Sequence, residues 1–378
     1  MKKNAIRALV VDDSALMRNL VSRILNEAAD IEVVGTAMNG RFALQKIERL
    51  DPDVVVLDIE MPEMNGLEFL EERRKRHIEV PVVILSSVAQ RGARVTMDAL
   101  SLGASDFILK PSGPVSADIH KVGDQLIETV RSYGRKHRNR RGRTPPPRPV
   151  APEDVGPQPD RTTATVIERA RSEPAGPVTP EAEPGDMQLI AIGISTGGPN
   201  ALRKLFAEID GSIGVPIVIV QHMPAGFTTE FARSLDRICP LEVKEAQDGD
   251  LLQPGRVLVA PGNRHLTVER KSLSGVAHVT EGEARNGHRP SVDVLFESVA
   301  AAYGNHALAV IMTGMGRDGA YELGSIRRRG GITVGQDEAT SVVYGMPKVA
   351  HELGHVEHQL PLHEIASKLS EIVRRQNG

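Results

Sequence analysis

Apolar runs separated by amphipathic stretches set the rhythm of the first third of the chain. Ile6–Val11, Ile31–Gly35, Asp53–Leu57, Val80–Leu85 and Asp106–Leu109 have the length and aliphatic content of buried strands. Helical patterns begin near Ser14, Gly40, Gly66, Gly92 and Val115. Five successive βα units predict a doubly wound parallel sheet with its site at the carboxyl ends of the strands.

From Gly134 the pattern stops. Gly134–Pro149 holds seven Arg or Lys and no acid, and the stretch to Asp186 is acidic and proline-rich. This composition reads as an extended, disordered linker, because it lacks the apolar content to offset its ordering entropy. Only Ala164–Arg171 has the pattern of a turn or two of helix. The basic run reads as a solvated segment, with transient contact to an acidic partner or membrane surface as the alternative. The α/β rhythm returns at Gln188, with strands expected at Leu189–Ile194, Val215–Val220, Arg256–Ala260, Ala307–Met312 and Gly331–Val334. Helical patterns follow the first, second and fourth of these. His265–Glu269 and Gly275–Thr280 read as a hairpin turning at Ser272–Gly275. The expected organisation is therefore two doubly wound parallel-sheet domains, 5–132 and 188–374, joined by a Pro/Arg-rich linker over 133–187.

Composition narrows the class. Aromatics make up 3% with no Trp, so both cores are built from aliphatic side chains, as suits parallel sheets. The single cysteine, Cys239, cannot form an internal disulfide, which fits a reducing cytoplasm. The short basic start runs into two aspartates and reads as neither a signal peptide nor a membrane span. A net charge of -3 gives no general attraction to nucleic acid.

Two groups of residues carry chemistry. Asp12 and Asp13 follow the first strand and Asp58 the third, so three carboxylates converge at one sheet edge. Their mutual repulsion makes sense only around a hard cation. Lys110 brings an ammonium to the same edge and Ser86 a hydroxyl, a set equipped to take up a phosphoryl group. In the second domain Gly193-x-Ser195-x-Gly197 lies between an apolar strand and a helical pattern. That is the form of a nucleophile elbow, and equally of a phosphate-binding loop. A serine nucleophile needs a base, and His222 follows a strand directly, at the same edge. Asp318, after Ala307–Met312, is the expected orienting acid, with Asp337 as rival. The order Ser, His, Asp differs from that of α/β-hydrolases. Asp248, Asp250 and Pro254–Gly255 read as turn residues, and Arg289–Pro290–Ser291 as a structural loop or one folded near the site. His265 and His288 read as hydrogen-bonded core or surface histidines, and His351, His355, His358 and His363 as polar tail positions.

The segments VVDDS, LDIEMPEMNG, LSS and DFILKP resemble the receiver domain of two-component response regulators. The resemblance implies that Asp58 is the phosphoacceptor and that Mg²⁺ is held by Asp12, Asp13, Asp58 and the backbone carbonyl of Glu60. It makes Ser86 (or the adjacent Ser87) the switch hydroxyl, Phe107 the switch aromatic and Lys110 the phosphoryl contact. It also implies a cis Lys110–Pro111 bond.

GISTGGPNAL, VIVQHMPAGFT, AQDGDLLQPGRVLVAPGN, RPSVDVLF and MTGMGRDGA resemble the catalytic domain of chemotaxis protein-glutamate methylesterases, which also deamidate glutamines (the CheB family). That resemblance implies Ser195 as nucleophile, His222 as general base and Asp318 as its orienting acid, with Thr196 and Met315 lining the oxyanion region. No cofactor is implied for the esterase. The implied partners are methylated chemoreceptors and, as phosphodonor, a histidine kinase of the CheA type, with no nucleic acid and no membrane insertion. The unphosphorylated receiver is expected to lie across the esterase's active-site face, loosely if the long linker dilutes it. A basic helix-turn-helix, the mark of a transcriptional regulator, is not evident. A nucleotide-binding domain or a non-catalytic adaptor are the other readings.

Overall fold

The computed structural model of the chain describes residues 4–86, 90–110, 119–142, 178–271 and 274–378. Its N-terminal domain runs β1 (Ile6–Val11), α1 (Ala15–Glu27), β2 (Ile31–Ala37), α2 (Gly40–Leu50), β3 (Val54–Asp58), α3 (Gly66–Lys75), β4 (Val82–Ser86), α4 (Gln90–Ser101), β5 (Asp106–Leu109) and α5 (Ile119–Arg140). The strands form one parallel sheet in the order β2-β1-β3-β4-β5. Polar caps begin the helices where the apolar runs end. Ser14 Oγ accepts from the Met17 amide, Asn39 Oδ1 from Phe42, and Asn65 forms a capping box with Glu68. The order of strand addition reverses at β1, which has β2 on one side and β3, with Leu57 opposite Val11, on the other. The loop after β1 and the end of β3 therefore meet at one edge.

The linker begins later than its composition suggests. Helix α5 continues through Arg140, and its Arg131, Arg135 and Arg138 are paired rather than solvated. The Arg131 guanidinium donates to both Asp30 oxygens at 2.8 and 2.9 Å, and Arg135 reaches the same carboxylate. Arg138 donates to the Ala5 carbonyl at 2.7 Å and lies 3.4 Å from the buried Asp53. The acids that neutralise the run sit in loops far away in sequence, so the run alone looked like a charged tail. Residues 178–187 also belong to a folded domain. The Glu181 amide donates to Arg328, that of Gly185 to Asn305, and Met187 is buried. Ala164–Arg171, Ser87, the Lys110–Pro111 bond and the tip of the expected hairpin lie outside the described residues.

The second domain contains β6 (Leu189–Ile194), α6 (Gly198–Glu208), β7 (Ile217–Gln221), α7 (Phe227–Asp236), β8 (Glu242–Glu245), β9 (Leu251–Leu252), β10 (Arg256–Val259), β11 (His265–Arg270), β12 (Gly275–Thr280), α8 (Val292–Tyr303), β13 (Ala307–Ile311), α9 (Ala320–Arg328), β14 (Ile332–Gln336), α10 (Met346–Glu352), β15 (His358–Leu360) and α11 (Leu362–Asn377). Seven strands form a parallel sheet, β15-β14-β13-β6-β7-β10-β8, and β11-β12-β9 form a small antiparallel one. Strand β6 is the switch point, with β7 on one side and β13 on the other. All six of its residues are buried, each large aliphatic one contributing about 1.5–3 kcal/mol of transfer free energy. Helix α8 was not expected because it buries Val292, Leu295, Phe296, Val299 and Tyr303 on several sides and so lacks a polar face. His355 is a correction to the polar-tail reading: it is buried, with Nδ1 2.8 Å from the Ala320 carbonyl oxygen. No helix among the described residues is long and apolar enough to cross a membrane.

Candidate active site

In the N-terminal domain, oxygens of Asp12, Asp13 and Asp58 lie within 4.8 Å of one another. Lys110 Nζ stands 2.9 Å from Asp12 and 2.8 Å from Asp58. Burial raises the Asp58 carboxyl above its ordinary value, against the opposing pull of Lys110. A small open cavity is lined by Asp58, Ile59, Glu60, Ser86 and Lys110. Ser86 Oγ is 2.6 Å from Thr96 Oγ1 on α4, so the strand-end hydroxyl already touches a neighbouring helix. Hard carboxylate oxygens grouped in this way suit a small divalent cation.

In the second domain the carboxyl ends of β7, β6 and β13 are adjacent, and each delivers one residue. Gly193 pairs with Ile311 on one side, and Ile194 with Gln221 on the other. His222, one residue past β7, places Nδ1 3.1 Å from Ser195 Oγ and Nε2 2.8 Å from Asp318 Oδ2. Asp318 is fully buried and its carboxylate can only accept, so Nε2 carries the hydrogen and Nδ1 is the acceptor facing the serine. Burial by itself would raise the Asp318 carboxyl. Its hydrogen bond to His222, the charge of that ring, and donors on Asn286 and Ser291 outweigh burial and hold it well below the usual range. Asp337 is not in this group; its carboxylate accepts from the Thr340 amide and hydroxyl.

The turns around Ser195 are tight by construction. Gly197, two residues on, has φ +80°, and a β-carbon there would meet Val342 at 2.6 Å. At Gly314 a β-carbon would lie 2.8 Å from Ser195 Cβ and 2.4 Å from Met346 Sδ. The Thr313 hydroxyl donates to the Thr196 carbonyl at 2.9 Å, tying the two turns together. Thr196 adjoins the serine in sequence, and Met315, which follows Gly314, is exposed.

The turn over residues 285–288 was not anticipated as part of the site. Asn286 and Gly287 have φ +54° and +78°, and Arg285 and His288 exchange both backbone hydrogen bonds across them. This is a two-residue turn of the type that Asn-Gly favours, a signal present in the sequence. It brings the His288 ring onto that of His222, with centroids 3.8 Å apart and planes 8° from parallel. Asn286 Nδ2 donates to Asp293 at 2.6 Å and to Asp318 at 3.0 Å. Ser291 Oγ donates to Asp318 at 2.7 Å, and the Val292 amide at 2.6 Å. The Arg289–Pro290–Ser291 segment thus folds at the site. His265 is the core histidine expected, with Nε2 2.8 Å from the Glu283 carbonyl oxygen. Asp248 and Asp250 organise turns, accepting from the amides of Val279 and Gln247.

The two sites are physically joined. The Gly197 amide donates to Asp106 Oδ2 at 2.8 Å, and Asn200 Nδ2 donates to the carbonyls of Ala104 and Ser105. The Phe107 ring stacks on Phe227 with centroids 5.1 Å apart.

A phosphoacceptor-type domain packed against a Ser-His-Asp hydrolase defines a class, the response regulators whose output is enzymatic. Residues 8–119 match the response regulator receiver domain and residues 190–369 the CheB methylesterase. The protein-glutamate methylesterase/protein-glutamine glutaminase of Treponema denticola is 55% identical over 97% of each chain, and that of Treponema pallidum 50% identical over 97% of each. The crystal structure of the Thermotoga maritima CheB methylesterase catalytic domain is 38% identical, with a TM-score of 0.49, and covers 50% of this chain and 99% of its own. The chain belongs to the CheB family of protein-glutamate methylesterases/protein-glutamine glutaminases.

Proposed function

We propose that this protein removes methyl groups from glutamate γ-methyl esters on chemoreceptors, and deamidates receptor glutamines, through Ser195, His222 and Asp318. The observation that carries the reading is the His222 ring bridging Ser195 Oγ and Asp318 with its two nitrogens. Ser195 Oγ attacks the γ-carbonyl carbon while its proton passes to His222 Nδ1. Asp318 holds the Nε2–H and stabilises the imidazolium that forms. The carbonyl oxygen gains charge beside the Thr196 and Met315 turns, which provide the oxyanion region. His222 then gives its proton to the departing methoxide, releasing methanol and leaving an acyl-enzyme. Water, deprotonated by His222, attacks the acyl carbon and frees Ser195 and the glutamate carboxylate. With a glutamine side chain the leaving group is ammonia and the remaining steps are the same.

Asp58 is the phosphoacceptor in this reading, with Mg²⁺ held by Asp12, Asp13, Asp58 and the Glu60 carbonyl. The cation, when bound, offsets charge on the incoming phosphoryl group. Lys110 contacts that group, and Ser86 and Phe107 form the switch. The stack of Phe107 on Phe227 and the grip of Asp106 on Gly197 support an unphosphorylated receiver that restrains the nucleophile turn. A bias of a few kcal/mol between docked and released states is enough for control. The phosphodonor is a CheA-type histidine kinase, and the setting is the cytoplasm. Labelling with a fluorophosphonate serine probe, followed by peptide mapping, tests the nucleophile. Modification at Ser195 that is lost in His222→Ala supports the triad; modification elsewhere, or none, refutes it.

A further inference from the structure

The imidazole of His288 is not needed for proton transfer in the scheme above, yet it lies flat against the ring that is. Its centroid is 3.8 Å from that of His222, and the planes differ by 8°. Arg285 and Arg289, on either side of it in sequence, turn away: Arg285 pairs with Glu297 and Glu322, and Arg289 with Asn263 and the carbonyls of Glu281 and Gly282. The charged and titratable groups facing His288 are therefore His222 and Asp318.

We propose that His288 is a positioning residue for the hydrolysis, a neutral ring platform that holds the His222 imidazole in the plane shared by Ser195 Oγ and Asp318. This rests on the triad reading of Ser195, His222 and Asp318. Two hydrogen bonds fix the ring's in-plane direction and leave tilt about the line joining Ser195 and Asp318 unopposed. A flat partner at van der Waals distance removes that tilt. The Asn286–Gly287 turn fixes the platform, since its two left-handed residues carry His288 back over His222. The same loop supplies Ser291 and Val292, which hold Asp318, so one segment sets both the base and its acid. Burial first, then the charge of His222, push the His288 ring down to about 4. It stays neutral while His222 becomes an imidazolium, and its π face meets that cation without repulsion.

The test compares full-length wild type, His288→Ala, His288→Phe and His222→Ala in methanol release from a methylated receptor fragment, with kcat, KM and the pH profile of kcat/KM. His288→Ala is expected to lose kcat by about ten- to a hundredfold, as for a displaced catalytic group, with KM little changed and the acid limb of the profile moved. His288→Phe, planar and unable to titrate, is expected to recover most of the rate. Wild-type behaviour of His288→Ala overturns the proposal. Loss in His288→Phe equal to that in His288→Ala also overturns it, because proton transfer or a polar contact would then be the role. An unmoved pH profile with a lowered melting temperature in both variants would make His288 merely structural. Hydrolysis surviving in His222→Ala would instead refute the triad reading itself.

Discussion

The Asp106 carboxylate, at the first residue of β5, accepts a 2.8 Å hydrogen bond from the Gly197 amide, two residues beyond Ser195. Gly197 is the N-cap of α6, so a receiver side chain sits at the positive end of the helix that follows Ser195. The contact is dry: Asp106 is 4% exposed, and burial raises its carboxyl to about 6.

This contact makes an asymmetric prediction for two substitutions. Asp106→Ala removes the acceptor and leaves the Gly197 amide unpaired in the docked state. The unphosphorylated rate of methanol release should rise by about three- to tenfold, the worth of one net hydrogen bond. Asp106→Asn keeps an acceptor and removes the cost of burying charge, so its basal rate should not exceed that of wild type. Steady-state rates without phosphodonor distinguish the two.

Gly314 is predicted to be irreplaceable for catalysis while tolerable for folding. An alanine there must displace Ser195 or Met346, and a shift of the nucleophile of about 1 Å can cost a hundredfold in rate. Gly314→Ala should therefore lose at least that much kcat, with far-ultraviolet circular dichroism unchanged.

Asn286 divides its amide protons between Asp318 and Asp293, two buried carboxylates of like charge. Burial, then the charge of Asp318, raises Asp293 to about 6. Asn286→Ala should lower kcat by up to about tenfold, because Asn286 is exposed and water can replace part of its donation. Asn286→Asp adds a third carboxylate and should be the worse of the two in the same assay.

The stability of the platform histidine depends on pH with a fixed sign. His288 is held at about 4, below its ordinary 6.5, so the unfolded chain takes up this proton first as pH falls. The contribution of the neutral ring is complete above 6.5 and is lost as pH falls through about 4. Relative to His288→Phe, wild type should thus lose up to about 3 kcal/mol across that window. Urea midpoints of both proteins over the window measure it. The opposite shifts of Asp106 and Asp293 are common to both proteins and cancel in the difference.

Much of this was legible in the sequence because the chemistry follows strand ends. Asp58, Ser195 and His222 each sit within a residue of the end of a strand whose apolar run is unmistakable, and their convergence follows from parallel topology. Asp318 does not follow this rule, lying seven residues past β13 while its rival Asp337 directly follows β14; it was preferred through the resemblance carried by MTGMGRDGA. What stayed hidden depended on contacts distant in sequence. The basic end of α5 looked like a linker because Asp30 and Asp53, which neutralise it, lie far earlier. Helix α8 was obscured by being apolar on most sides. His288 looked like one histidine among twelve, since nothing short of the folded Asn286–Gly287 turn places it over His222.

Methanol release from a methylated receptor fragment, measured for wild type and Ser195→Ala before and after treatment with a small phosphodonor, bears most directly on the joined esterase and switch. Release by wild type should rise with the phosphodonor, and the Ser195→Ala protein should release none under either condition. Undiminished release by Ser195→Ala, or a wild-type rate indifferent to phosphorylation of Asp58, would show that the triad or its control by the receiver has been misassigned.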